Sequence, residues 1–424
     1  MAKVITTELQ HSGASGANIT LDSSKNVTCE NNLQVDGNVT VTGTLPADKL
    51  TGNLPAISGA SLTGINSPGK AHNLIINGAC NVAQRGTSGT GNGYASVDRF
   101  QVQFGGHTGV AQAQVALTSS DTGPWEKGFR NCFKVTNAST ADETAADAEA
   151  RITYLVEAQD LANSGWDYTS TSSNITISFW AKSNVAETFY LLLRTRDGTN
   201  QGYTTPVTLA ANTWTKFTKT IPGAANNVIN NDNGEGLRIA LYLFLGSNST
   251  TSGHTNNAWA AYSGSDTTPD FETSGSWFAG DASSTFQITG FQLEVGDTAT
   301  DFEHRSYGDD LARCQRYFWM YYYPTAAAKS LMVAHNWHTN QIFGHINFPC
   351  RMRSAPSGVV TNGTNYWTAY KTTPNTSNFD TMSQWNASEN SAILEGMSPS
   401  VTAGESCFCT GNNAAASFAF NAEL

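Results

Sequence analysis

The strongest constraint in the sequence is a two-residue alternation of apolar and polar side chains that recurs through its middle. ITISFWAKS (175–183) sets Ile175, Ile177 and Phe179 on one face and Thr176, Ser178 and Trp180 on the other. TWTKFTKTIPG sets Phe217 and Ile221 against Trp214 and Lys216, LRIALYLFLG aligns Leu237 through Leu245 at every second position, and TFQITGFQLEVG aligns Phe291, Leu293 and Val295. A side-chain period of two belongs to strands. TFYLLLRTRDG ends in Asp197-Gly198, a hairpin dipeptide. Many short strands with one strongly apolar face bury it by pairing two sheets, so residues 69–310 are expected to form a β-sandwich. The exception is 142–162, whose Ala/Glu-rich start reads as helix and whose ITYLVEA reads as strand. Residues 311–424 open with LARCQRYF, one or two helical turns, and continue as strand-like pieces such as SLMVAHNW, QIFGHINF and ESCFCTG. They are expected to form a second, smaller β-sandwich.

Residues 1–68 differ. NVT occurs at 26–28 and 38–40, LPA at 45–47 and 54–56, and LTG at 50–52 and 62–64, with almost no aromatic residues between them. Short repeats with regular Val and Leu suggest a repetitive β shaft. One copy has too little apolar bulk for a core of its own, so this segment is expected to act as an anchor that trimerises.

Composition narrows the function. Of the 424 residues only 13% are charged, about half of the usual share. With 23 basic and 34 acidic residues the net charge is −11, which argues against a phosphate-binding surface and hence against nucleic acid. No apolar run approaches the length of a membrane helix, so no membrane insertion is expected. MAKVITTELQ lacks the apolar core of a secretory signal. Seven scattered cysteines without a CxxC pair point to free thiols. A chain made in a cytoplasm with a hydroxyl- and amide-rich surface fits a virion protein assembled inside its host.

Two stretches carry a resemblance: NLIINGACNVAQRGTS (73–88) with VDRFQVQ (97–103), and ITGFQLEVGDTATDFEHRSYGDDLARCQRYF (288–318). They resemble the two ends of a jelly-roll domain of bacteriophage tail fibres and related virion proteins, a domain similar to carbohydrate-binding modules. SFWAKS (178–183) fits its central strand, LPAISGASLTGI (54–65) resembles segments before fibre tips, and NFPCRMRSAPSGVV with the NAEL terminus resembles their C-terminal β-domain. The resemblance implies an all-β chain: an N-terminal shaft over 1–68, a jelly roll over 69–310 and a C-terminal β-domain over 311–424. It further implies a homotrimeric virion fibre or spike that contacts other virion proteins through 1–68 and adheres to a host cell-surface glycan. The alternative is a capsid-decorating or adaptor protein without glycan binding. Sugar-binding jelly rolls often hold calcium through an acidic pair on their last strand, where this chain has Thr289-Gly290, so no metal or other cofactor is expected.

Glycan recognition needs flat apolar surfaces for sugar C–H faces beside donors and acceptors for hydroxyls. Alternation places Trp180, Tyr190, Trp214 and Tyr242 on the less apolar strand faces, with Arg194 and Arg196 as donors to hydroxyls or sugar carboxylates. The polar stretch 246–271 adds Trp259 and Tyr262, and a connection of that length is usually functional or disordered. His335, His338 and His345 cluster around Trp337, but 335 and 338 point to opposite faces of a strand, which is wrong for metal ligation. No GxSxG, HExxH, P-loop or recognisable carboxylate pair is present, so no enzyme activity is expected.

Overall fold

The computed structural model describes residues 73–424, except 107–108, 139–144, 274–275, 279–282, 325–328 and 372–375, and three short strands before them. The chain divides into two compact units, Met1–Ile65 and Asn66–Leu424. In the first, β1 (Glu8–Leu9), β2 (Ile19–Leu21) and β3 (Val27–Cys29) form a three-stranded antiparallel sheet. The rest of the expected shaft lies outside the described residues.

The second unit is all-β and jelly-roll-like in its larger part. Six strands form one sheet in the order β14 (Trp259–Ala261), β11 (Gln201–Leu209), β10 (Glu187–Thr195), β13 (Glu235–Leu245), β8 (Glu149–Glu157) and β5 (Phe100–Gly105). Six more form the facing sheet: β12 (Thr215–Pro222), β9 (Asn174–Ser183), β15 (Thr285–Val295), β7 (Asn131–Asn137), β6 (Val110–Ala116) and β4 (Ser88–Thr90). Aromatic rings close the gap between them. Phe189 meets Phe286 edge-on at 4.7 Å, and Phe100 reaches Phe133 and Phe291, each at 5.8 Å.

The alternation of β9 sends Ile175, Ile177, Phe179 and Ala181, all fully buried, into this core and leaves Trp180 and Lys182 part-exposed on the other face, where Thr176 and Ser178 are covered. That of β13 is not realised. Two bulges interrupt its pairing with β8, and every residue from Ile239 to Leu245 is buried. A bulge shifts which residues face inward. The outer face is also covered, because Phe271 from the following segment packs at 5.0 Å on Tyr190, the register neighbour of Tyr242. The ambiguous 142–162 stretch resolves as β8 followed by α1 (Ala158–Ala162).

Helix α2 (Tyr307–Gln315) leads into the C-terminal strands, and the expected 310/311 boundary falls inside it. Ser306 caps it by accepting from the Asp309 amide. Asp309 and Asp310 lie in its first turn, where the helix dipole favours negative charge. The sheet that follows has the order β16 (Phe318–Tyr322), β25 (Ser417–Asn421) and β19 (Ser357–Thr361). It packs on a seven-stranded sheet: β21 (Thr376–Phe379), β20 (Trp367–Tyr370), β24 (Ser406–Gly411), β17 (Ser330–His338), β18 (Gln341–Asn347), β23 (Ser391–Met397) and β22 (Thr381–Ala387). Trp367, Leu394, Phe418 and Phe420 are fully buried between these sheets.

The two sheet pairs join through buried charge. Glu157 accepts from Arg316 Nη2 at 2.5 Å and from the Tyr317 hydroxyl at 2.6 Å. Arg99, itself buried, pairs with Glu423, and Gln84 bridges the Asp98 carboxylate at 2.6 Å to the Phe318 carbonyl at 2.7 Å. Burial pushes Asp98 up to about 6, against the pull of Arg85 and the Gln84 hydrogen bonds. The recognisable motifs therefore meet in space: Asn73 donates its amide to Glu303 and accepts from Leu293 N. Among the described residues no helix is long and apolar enough to cross a membrane. Cys80, Cys132, Cys314, Cys350, Cys407 and Cys409 are free thiols.

Candidate functional site

On the outer face of the β12-β9-β15 side a cleft of about 480 Å³ opens over Ser178, Trp180, Lys216 and Gly290. Register explains the floor: Lys216 pairs with Trp180 across β12-β9, and Thr289 pairs with Trp180 across β15-β9. Immediately after Thr289 the register shifts at a bulge, which bends the strand locally. Gly290 stands there at φ +64°, and a Cβ on it would lie 2.6 Å from the Phe129 ring. Glycine lets Phe129 seat directly on the strand.

Two segments raise the walls. One runs from Glu126 to Phe129, the other from Thr300 to His304. Phe129 contacts Phe302 at 4.8 Å and His304 at 5.0 Å, forming an aromatic cluster; His304 Nε2 lies 2.8 Å from the Lys127 carbonyl. The second wall is tied down by Glu294, which accepts from the Thr300 amide at 2.9 Å and its hydroxyl at 2.7 Å. The first is tied by Asp121, which accepts from Lys182 Nζ and Trp214 Nε1, each at 2.9 Å. Partial burial raises the Asp121 carboxyl, but these two hydrogen bonds and one from the Thr118 amide outweigh it and hold it at about 2, because each favours the charged form. Gly123 lies against Trp180 with φ +96°; a Cβ there would sit 2.6 Å from the indole ring. One part of the Trp180 ring is thus held by the loop while it also lines the cleft. Aromatic edges, two ammonium groups (Lys127, Lys216) and two carboxylates (Glu126, Asp301) line the same space, which suits a small polyhydroxylated ligand.

The eight residues singled out in the sequence separate into two groups. Trp180 lines the cleft, and Trp214 stands behind it with Lys182 4.9 Å above its ring. The other six lie on the opposite sheet or the segment covering it. Tyr190 meets Phe271 at 5.0 Å, and Tyr242 is 3% exposed beneath Arg151. Arg194 stacks on Tyr262 at 3.5 Å, Arg196 pairs with Glu235, and Trp259 donates to the Pro222 carbonyl at 2.7 Å. There these side chains are engaged with neighbours, and a hollow of about 110 Å³ opens beside Tyr262. Phe129, Phe302 and His304 were not singled out. Between Phe302 and His304, Glu303 turns away to accept from the Asn73 amide. Among the described residues no group of three His, Cys, Asp or Glu is placed to hold a metal ion.

No family model matches the chain, and no curated protein matches it. Among solved structures it is similar to a cyclase from Fischerella sp. TAU (10% identity, 54% of this chain and 100% of that one, TM-score 0.30). It is similar to the enzymatically active domain of tailspike protein 4 of bacteriophage CBA120 (10% identity, 53% of this chain and 21% of that one, TM-score 0.29). It is also similar to the N-terminal cellulose-binding domain of Cellulomonas fimi β-1,4-glucanase C (10% identity, 40% and 80%, TM-score 0.23). The chain spans about a fifth of the tailspike chain it matches. These TM-scores are low, and the observed fold is an all-β jelly-roll-like sandwich bearing an aromatic cleft.

Proposed function

We propose that this chain is a glycan-binding fibre or spike protein of a virus particle, and that the cleft floored by Trp180 is where it takes a host surface saccharide. The carrying observation is the cleft itself: an indole, two phenyl rings and an imidazole beside hydroxyl, carboxylate and ammonium groups, on a rigid sandwich. Sugar C–H faces pack on aromatic rings while hydroxyls bond the polar rim, which is the division of labour the cleft offers. The resemblance of 73–103 and 288–318 to phage fibre jelly rolls supports the particle context. On this reading residues 1–68 attach to another virion protein and copies assemble as a trimer. The chain binds without cutting.

The test is retention of the full chain on host cells and on their purified surface polysaccharide. Trp180→Ala is expected to weaken binding at least ~10-fold, as loss of a central aromatic anchor does. Unchanged binding would remove the cleft from the reading, and release of reducing sugar ends from the polysaccharide would replace adhesion by catalysis.

A further inference from the structure

The outward face of the seven-stranded C-terminal sheet carries an unusual share of the protein's exposed apolar side chains. Tyr370, Phe408, Val333, Trp337, Trp385 and Met397 are all exposed on its strands, Val333 by 69%, Trp337 by 61% and Trp385 by 60%. Register shows that they adjoin: Tyr370 pairs with Phe408, Phe408 with Val333, and His335 with Phe343. Phe343 then stands between the two indoles, 6.4 Å from Trp337 and 5.3 Å from Trp385. Alternation produces this face. Met332, Ala334, Asn336, Ile342, Gly344 and Leu394 turn inward, and their strand neighbours turn out. Contiguous exposed apolar patches of this kind mark interaction sites.

We infer that this face docks against the same face of another copy of the chain, in a two-fold contact additional to the threefold assembly proposed for residues 1–68. Its size suits that occupant. Seven strands at ~4.8 Å spacing and ~20 Å length give a plan area of roughly 600 Å² per copy. Two such faces bury roughly 1,200 Å², the lower bound for a specific association, and side-chain relief adds to it. The composition suits it too. Aromatic and Met side chains are enriched and charge is depleted, as in the centre of an interface. The few ionisable groups are of both kinds: Glu395 pairs in register with Phe343, and His335 and His345 stand on the neighbouring strands. Facing copies can set acid against imidazole, whereas a strongly acidic or basic partner finds no patch of opposite sign. This inference is independent of the Trp180 cleft, and either can fail without the other.

Hydroxyl-radical footprinting of the full chain, read by mass spectrometry beside light scattering, tests it. In the assembled protein the uptake of label at Trp337 and Trp385 is expected to be several-fold lower than in Val333→Asp, which places a charge at the centre of the face. Tyr307, 59% exposed on α2, is expected to label equally in both and reports that the variant is folded. Each chain carries a net charge of −11, so added salt is expected to strengthen the association by screening the repulsion between copies. The inference is overturned if Val333→Asp leaves labelling unchanged. Protection that persists at a mass of one chain would place the chain's own first residues on the face. Protection that appears only on adding a saccharide would place a glycan there.

Discussion

At the residue scale the cleft depends on a glycine. Gly123 combines a backbone conformation that L side chains rarely adopt with a close approach to the Trp180 ring. Gly91 has the same φ of +96° and nothing within 4 Å of its would-be Cβ, so it separates the two costs. Gly91→Ala is expected to cost only backbone strain, about 1 kcal/mol. Gly123→Ala adds the clash with the indole and is expected to cost about 2–3 kcal/mol in chemical denaturation while displacing Trp180 and weakening saccharide binding. Equal losses for the two variants would mean that the loop moves freely over Trp180. Trp180 was legible in the sequence because parity along β9 alone fixes its face. The rings that complete the cleft were not. Phe129 and Phe302 are far apart in the chain, and neither sits in a periodic strand; the bulge at Gly290, the hydrogen bonds of Glu294 and Asp121 and the His304–Lys127 contact bring them together.

At the element scale the polar residues of the recognisable motifs turn out to be structural. Gln84, Asp98, Arg99, Tyr317 and Glu423 come from the stretches that carry the resemblance, and they join the sandwich to the C-terminal sheets. Their strong sequence signal reflects the narrow geometry of a buried network. The strand pattern was legible for the same reason that it folds: one buried face demands a period of two. It failed on β13, where a second covering layer buried both faces, and tertiary packing of that kind leaves no periodic trace. The junction predicts a pH response. Asp98 has its folded value raised to about 6 from an ordinary value near 4. Its contribution to stability is therefore fully present below about 4 and is lost as pH rises through about 6. Glu187, pushed up to about 7 by burial, adds in the same direction at slightly higher pH. Carboxyl carbon NMR is expected to show Asp98 titrating near 6. Asp98→Asn, which keeps the shape and an acceptor for Gln84, is expected to remove the part of the pH dependence of the urea midpoint centred there. A residue titrating near 4 would mean that water reaches the junction.

At the scale of the whole molecule, residues 66–424 form one compact unit although they contain two large, separate hydrophobic cores beside two smaller clusters. Two cores unfold together only when the free energy linking them is comparable with the stability of either one. The link here combines a small apolar cluster of Ile76, Val82, Cys314 and Tyr317 with a buried polar network: the Glu157 side chain is fully buried and is held by Arg316 from the far side of the junction, with Tyr317 beside it. Removing one partner from such a group leaves buried charge uncompensated, which costs about 3–5 kcal/mol. Replacing both with apolar side chains costs far less, so the network contributes specificity of docking more than net stability. Calorimetry of the full chain is therefore expected to show one transition for the two β modules together. Glu157→Ala is expected to split it in two. The C-terminal module should melt first, because its smaller sheet has only three strands and a smaller module buries a smaller share of its surface. Arg316→Met with Glu157→Leu is expected to restore much of the lost stability without restoring the single transition. Two transitions already present in the unaltered chain would mean that the modules are merely adjacent, and that a change on the sandwich cannot be felt at the C-terminal sheets.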